Sequence, residues 1–156
     1  MLSLFKPSPL TQRLKALKKM SLFVDLTRRE MKIVSGFMHE RTFLQDEIVY
    51  DEGDEGQALY FILEGRVLIC PQGQKEHPIA VLESDNFFGE VALLDGLPRS
   101  AQVIAAENCK LEVLFRGDFL GLMTSHAVIG SKISLQLARH LSLRLREAFP
   151  YLPQHV

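Results

Sequence analysis

Between residues 40 and 115 the chain is a succession of short β-prone runs, each closed by turn-forming residues, while helical periodicity is confined to the two ends. The runs are Arg41–Leu44, Ile48–Tyr50, Ala58–Leu63, Arg66–Cys70, Ile79–Leu82, Ala101–Ala105 and Lys110–Phe115. Between them lie Asp51-Glu52-Gly53-Asp54-Glu55-Gly56, Glu64-Gly65, Pro71-Gln72-Gly73 and Glu83-Ser84-Asp85, all turn or loop chemistry. Many short strands with close turns predict a barrel, a roll or a sandwich. With 156 residues the chain has the length of one domain, so a single core is expected to serve nearly all of it.

The flanks read as helices. Ser8-Pro9 has the N-cap and N1 pattern, and Leu10, Leu14 and Leu17 recur on one face among Arg13, Lys15, Lys18 and Lys19. Thr27 and Glu30 form a capping-box pair with Leu26 and Met31 as its hydrophobic staple, and Met31, Val34 and Met38 continue the stripe. The spacing predicts a helix over about 27–39. After Gly117 helical periodicity returns, first over Asp118–Met123 and then over about Ala127–Glu147. In that last helix Ile133, Leu137, Leu141 and Leu145 share one side, while Leu135 and Leu143 lie on roughly the opposite side. A helix apolar on two sides calls for two partners, the β-domain and the same helix of a second copy, so a homodimer is expected.

Charge narrows the function classes. The net charge is −1, but residues 1–20 carry five Lys/Arg and no acid, residues 131–156 carry four against Glu147, and the middle has nine basic and eighteen acidic residues. Nucleic-acid binding rests on phosphate neutralisation, so an acidic body disfavours it, and the basic tips read as solvated helix faces. No apolar run approaches the roughly 18 residues that cross a bilayer, and Met1–Phe5 is too short for a secretory core. Cys70 and Cys109 form no CxxC pair, which suits a reducing cytoplasm better than a disulfide framework or a zinc site.

One segment interrupts the β pattern: Phe87-Phe88-Gly89-Glu90-Val91-Ala92-Leu93-Leu94-Asp95-Gly96-Leu97-Pro98-Arg99-Ser100-Ala101. Glu90–Leu94 is helix-forming but only about one and a half turns long before Gly96 and Pro98. It starts at Gly89, where a ligand can approach free backbone N–H groups, and it is followed by Arg99 and Ser100, a fork of donors and a hydroxyl suited to phosphate. Glu90 would repel a bare anion, and its natural use is to accept a bond from a sugar hydroxyl attached to that phosphate. A nucleotide accounts for both charges; a capped helix with a local Glu90–Arg99 ion pair is the plainer alternative.

Phe88-Gly89-Glu90, Ala92-Leu93-Leu94 and Pro98-Arg99-Ser100-Ala101 together resemble the phosphate-binding cassette of the cyclic nucleotide-binding domain family. The resemblance extends over about residues 19–147 through Leu22-Phe23, Ile48-Val49-Tyr50, Glu52-Gly53-Asp54 and Leu59-Tyr60-Phe61-Ile62-Leu63-Glu64-Gly65-Arg66-Val67. It implies an α+β, mainly β fold: an antiparallel β-roll or jelly-roll with short N-terminal helices, a short cassette helix and a long C-terminal helix. The implied organisation is an N-terminal helical segment 1–39, a β-roll 40–117 holding the cassette 87–101, and C-terminal helices 118–149, all within one domain. By the same resemblance Arg99 neutralises a cyclic phosphate, Ser100 and the backbone at Gly89, Ala92 and Ala101 surround it, Val91 lies within the site, and Glu90 accepts from the ribose 2′-hydroxyl.

His140 and Arg144 on the last helix are further ligand-binding candidates. Ala138-Arg139-His140-Leu141 resembles the catabolite activator protein type within the family, but Arg144 stands where that type has a polar adenine-contacting threonine. Cyclic AMP is the first expected ligand by family frequency, and cyclic GMP the second. Bacterial relatives commonly continue into a DNA-reading winged helix, for which about ten residues after the last helix leave no room, so direct DNA binding is not expected from this chain.

Neither a metal site nor a catalytic residue is expected. Asp51–Glu55 lacks the ligand spacing of a calcium loop, the five histidines are scattered, and no GxSxG, P-loop or nucleophile–base pair is present. The expected function is a cytoplasmic cyclic-nucleotide sensor without cofactor, reporting occupancy through its C-terminal helix to an effector protein not identified by sequence. The alternative, from a different class, is a nucleotide-independent interaction or dimerisation module that retains the roll.

Overall fold

The computed structural model describes residues 7–150. Met1–Phe5 and the residues after Pro150, His155 among them, lie outside the described residues. The chain runs α1 (Pro9–Lys18), a 3-10 turn (Ser21–Phe23), α2 (Arg28–Ser35), β1 (His39–Phe43), β2 (Ile48–Tyr50), β3 (Ala58–Glu64), β4 (Val67–Cys70), β5 (Ala80–Leu82) and β6 (Phe87–Phe88). It continues through α3 (Glu90–Asp95), β7 (Gln102–Ala105), β8 (Cys109–Phe115), α4 (Arg116–Ser125) and α5 (Ala127–Ala148). The strands form two four-stranded antiparallel sheets, in the orders β1-β8-β3-β6 and β2-β7-β4-β5. With helices on the outside of the first sheet, this is the mainly β roll anticipated above.

The single core expected from the chain length is instead two, which strand alternation explains. On β3, Leu59 and Phe61 face the helices, joining Leu17, Phe23, Met31, Leu122, Ile133 and Leu137, whereas Tyr60 and Ile62 face the roll interior with Val67, Phe88, Val103 and Leu111. At the helix starts, Ser8 Oγ accepts from Thr11 N–H at 3.2 Å, and the Thr27–Glu30 capping box is closed in both directions. Glu112 on β8 points toward the helical layer and is fully buried. Arg13 of α1 meets it with two hydrogen bonds, 2.5 and 2.8 Å long, and also donates to the Ser35 and Met38 carbonyls.

Four details differ from the sequence expectation. α2 stops at Ser35 rather than residue 39, because bonds from Gly36, Phe37 and Met38 N–H to carbonyls three residues back tighten the exit toward β1. Phe87 and Phe88 are a strand, β6, pairing with Phe61 and Tyr60 of β3. α4 begins at Arg116, whose N–H is held by the Gln57 carbonyl. Finally, α5 is covered only over its first half: Ile129, Ile133 and Leu137 are buried, but Leu145, assigned to the same side, is exposed like Leu135 and Leu143. Beyond Leu137 the helix overhangs the edge of the roll, above the cassette.

Candidate functional site

Beneath that overhang lies a cavity of about 410 Å³, within the range of small-molecule sites. Its walls are the cassette, the inner face of the second sheet (Tyr50, Ile69, Ala80, Leu82) and the distal half of α5. All nine residues nominated from the sequence line it: Gly89, Glu90, Val91, Ala92, Arg99, Ser100, Ala101, His140 and Arg144.

Arg99 is the centre of the arrangement. It is 4% exposed, and its guanidinium donates from Nη1 to the Gly89 carbonyl at 2.9 Å and from Nη2 to the Ala58 carbonyl at 2.7 Å. Its carbon Cζ stands 4.1 Å from the centre of the Tyr50 ring, a cation–π contact. Burial pushes the Tyr50 hydroxyl up to about 12 even against the opposing pull of Arg99, so Tyr50 is neutral beneath the cation. Arg99 makes no ion pair among the described residues, and its buried Nε–H has no partner. A buried cation with an unused donor is costly, and an anion in the cavity would relieve it.

The loop Asp51–Gly56, read from the sequence as a solvated turn, fixes this residue from behind. Asp54 O accepts from Arg99 N–H at 2.7 Å, Gly53 N–H donates to Arg99 O at 2.9 Å, and Glu55 bridges to Pro98. Gly56 packs against α3 so closely that a Cβ there would lie 2.1 Å from Ala92 Cβ, which leaves room for no side chain. At the start of α3, Gly89 has φ +89°, and a Cβ would come 2.6 Å from Arg99 Nη1. The helix geometry leaves the first backbone N–H groups of α3 without intrahelical partners beside Arg99.

Glu90 is 3% exposed and does not pair with Arg99, so the local ion pair weighed as an alternative is not formed. Its Oε1 instead accepts from Arg144 Nη1 and lies 3.3 Å from His140 Nε2, both on α5. His140 also rests on Phe87, ring centres 4.5 Å apart. Oε2 makes no hydrogen bond among the described residues. Ser100 sits exposed on the rim. The cavity thus offers a guanidinium in its wall, a hydroxyl and one carboxylate oxygen without a hydrogen bond among the described residues, against an apolar wall. The sequence reading missed Tyr50 under the guanidinium and the Ala58 carbonyl that anchors it, both supplied by strands remote from the cassette.

The family model for the cyclic nucleotide-binding domain matches residues 40–126. The chain is 34% identical over 134 residues to the cyclic AMP receptor protein of Thermus thermophilus, covering 85% of this chain and 60% of that protein. It is also 40% identical over 86 residues to a cyclic nucleotide-gated potassium channel of Rhizobium etli, where it spans 55% of this chain and 23% of the channel. Among solved structures, a cyclic nucleotide-binding domain from Methylobacillus flagellatus superposes with a TM-score of 0.77 at 28% identity, over 93% of this chain and 83% of that one. The chain therefore spans 60% or less of the length of these two curated relatives. With the family model covering more than half its length and the roll and cassette both in place, this chain belongs to the cyclic nucleotide-binding domain family.

Proposed function

We propose that the chain is a cyclic-nucleotide sensor that binds its ligand in the cavity under α5 without turning it over, cyclic AMP being the first choice and cyclic GMP the second. The observation that carries this reading is Arg99: a buried guanidinium lining a nucleotide-sized cavity, with no carboxylate partner among the described residues. In the proposed pose the cyclic phosphate sits against Arg99, Ser100 and the backbone at Gly89, Ala92 and Ala101, with Val91 lining the entrance. The ribose 2′-hydroxyl donates to Glu90. The sensor works as one domain in the cytoplasm, made of segments 1–39, 40–117 and 118–149, and passes the signal to an effector protein.

Glu90 links ligand to helix. Its Oε1 is already held by Arg144 and His140 of α5, which leaves Oε2 for the ribose. A ligand that fixes the carboxylate therefore also fixes the distal half of α5; Leu135 in its first half and Leu143 in its distal half, 51% and 63% exposed, are the proposed contacts with the same helix of a second copy. Signalling then follows from a difference in ligand affinity between docked and undocked α5.

Hydrogen exchange tests this. Saturating cyclic AMP is expected to slow exchange in the cassette and over residues 137–148; in Arg144→Ala the cassette is still protected, but the protection of 137–148 is lost. An α5 whose exchange ignores the ligand while the cassette responds would contradict the linkage. The nucleotide-independent module keeps one observation in its favour, that Arg144 and His140 already meet the charge on Glu90, and an unresponsive cassette would support it.

A further inference from the structure

The face formed by α1 and α2 carries a second cavity, of about 430 Å³, lined by Thr11, Leu14, Lys15, Lys18, Lys19, Arg28 and Met31. Of its lining, Leu14 and Met31 are buried while the four basic residues are exposed, an arrangement in which long basic side chains lay their aliphatic stems on apolar surface and keep their charges in water. Lys15, Lys18, Lys19 and Arg28 form no ion pair among the described residues. The acids nearest in sequence are engaged elsewhere: Glu30 pairs with Lys132, and Asp25 meets Gln136 and Arg139.

Four unpaired cations around an apolar groove, on a chain whose middle is acidic, make a local field that attracts negative charge. We propose that this groove docks an acidic amphipathic peptide segment of a partner protein, an apolar side chain entering above Leu14 and Met31 and carboxylates meeting the lysines and Arg28. The shape distinguishes among anions. A bilayer takes up convex apolar patches, and here the buried Leu14 and Met31 line a concavity. A nucleic-acid backbone would use the cations but leave the apolar lining unfilled.

The test is fluorescence anisotropy with the labelled peptide EELLDEFLEE, with KKLLKKFLKK as its charge-reversed control. Saturable binding of the acidic peptide alone is expected, weakened at least about tenfold when Lys15, Lys18 and Arg28 are all replaced by Glu. Thr11→Trp, which fills the groove but keeps every cation, is expected to weaken it as well. Melting curves would show that both variants stay folded, the changes being on the surface. Absence of saturable binding, unchanged affinity in either variant, or tighter binding to duplex DNA or to phosphatidylserine vesicles would overturn the proposal.

Discussion

Arg99→Ala is expected to weaken cyclic AMP binding at least about a hundredfold, the equivalent of two charge-assisted hydrogen bonds at about 1.5 kcal/mol each. The orphaned Nε–H and the buried positive charge are lost together. The fold is expected to survive, because Gly89 lines the cavity and the space vacated by the Arg99 side chain opens from it toward the Ala58 carbonyl, so water can reach both released acceptors. Melting should shift by a few degrees, on the order of 1–2 kcal/mol for a domain of this size. Arg99→Lys keeps the charge but loses the planar fork, and is expected to fall between the two. Titrating each variant with cyclic AMP checks the prediction, and an affinity unchanged in Arg99→Ala would remove the proposed pose.

The largest effect on stability is expected at a pair remote from the cavity. Arg13→Ala leaves Glu112 fully buried with its charge uncompensated, and losing one partner of a buried pair costs about 3–5 kcal/mol. The same guanidinium donates to Ser35 O and Met38 O, so the substitution also loosens the junction between α1, the end of α2 and the roll. The hydrogen bonds that Arg13 donates to Glu112 hold its guanidinium above its ordinary range, and the residue stays cationic at any working pH. Urea unfolding measures the loss. Adding Glu112→Leu to Arg13→Ala should recover part of it, because the stranded charge is then gone. A loss under about 1 kcal/mol in Arg13→Ala would show that the pair contributes no more than a surface salt bridge.

Local sequence stops being informative where the partners of a residue lie far away in the chain. Strands such as Ile48–Tyr50 and the helix starts at Ser8 and Thr27 are written locally, in β-branched runs and in a capping residue with its partner three positions on. The cassette was legible for the same reason: Gly89, Glu90, Arg99 and Ser100 lie within a dozen residues. Arg13 and Glu112 stand 99 positions apart, and nothing near either residue announces the other. The Ala58 carbonyl that receives Arg99 is a backbone atom without a residue-type signature, and Tyr50 comes to lie under the guanidinium only once the two sheets have closed. His140 and Arg144 were identified as candidates, but their common target, one oxygen of Glu90, depends on how far α5 overhangs the roll. Leu145 was misplaced because periodicity reports which side of a helix is apolar and says nothing about where its support ends.

The central claim is tested most directly by calorimetric titration of the nucleotide-stripped protein with cyclic AMP and cyclic GMP, with linear AMP as the control. The account predicts saturable binding of a cyclic nucleotide at one site per chain, much tighter than AMP, with cyclic AMP ahead of cyclic GMP. Folded, stripped protein that binds neither cyclic nucleotide would contradict it.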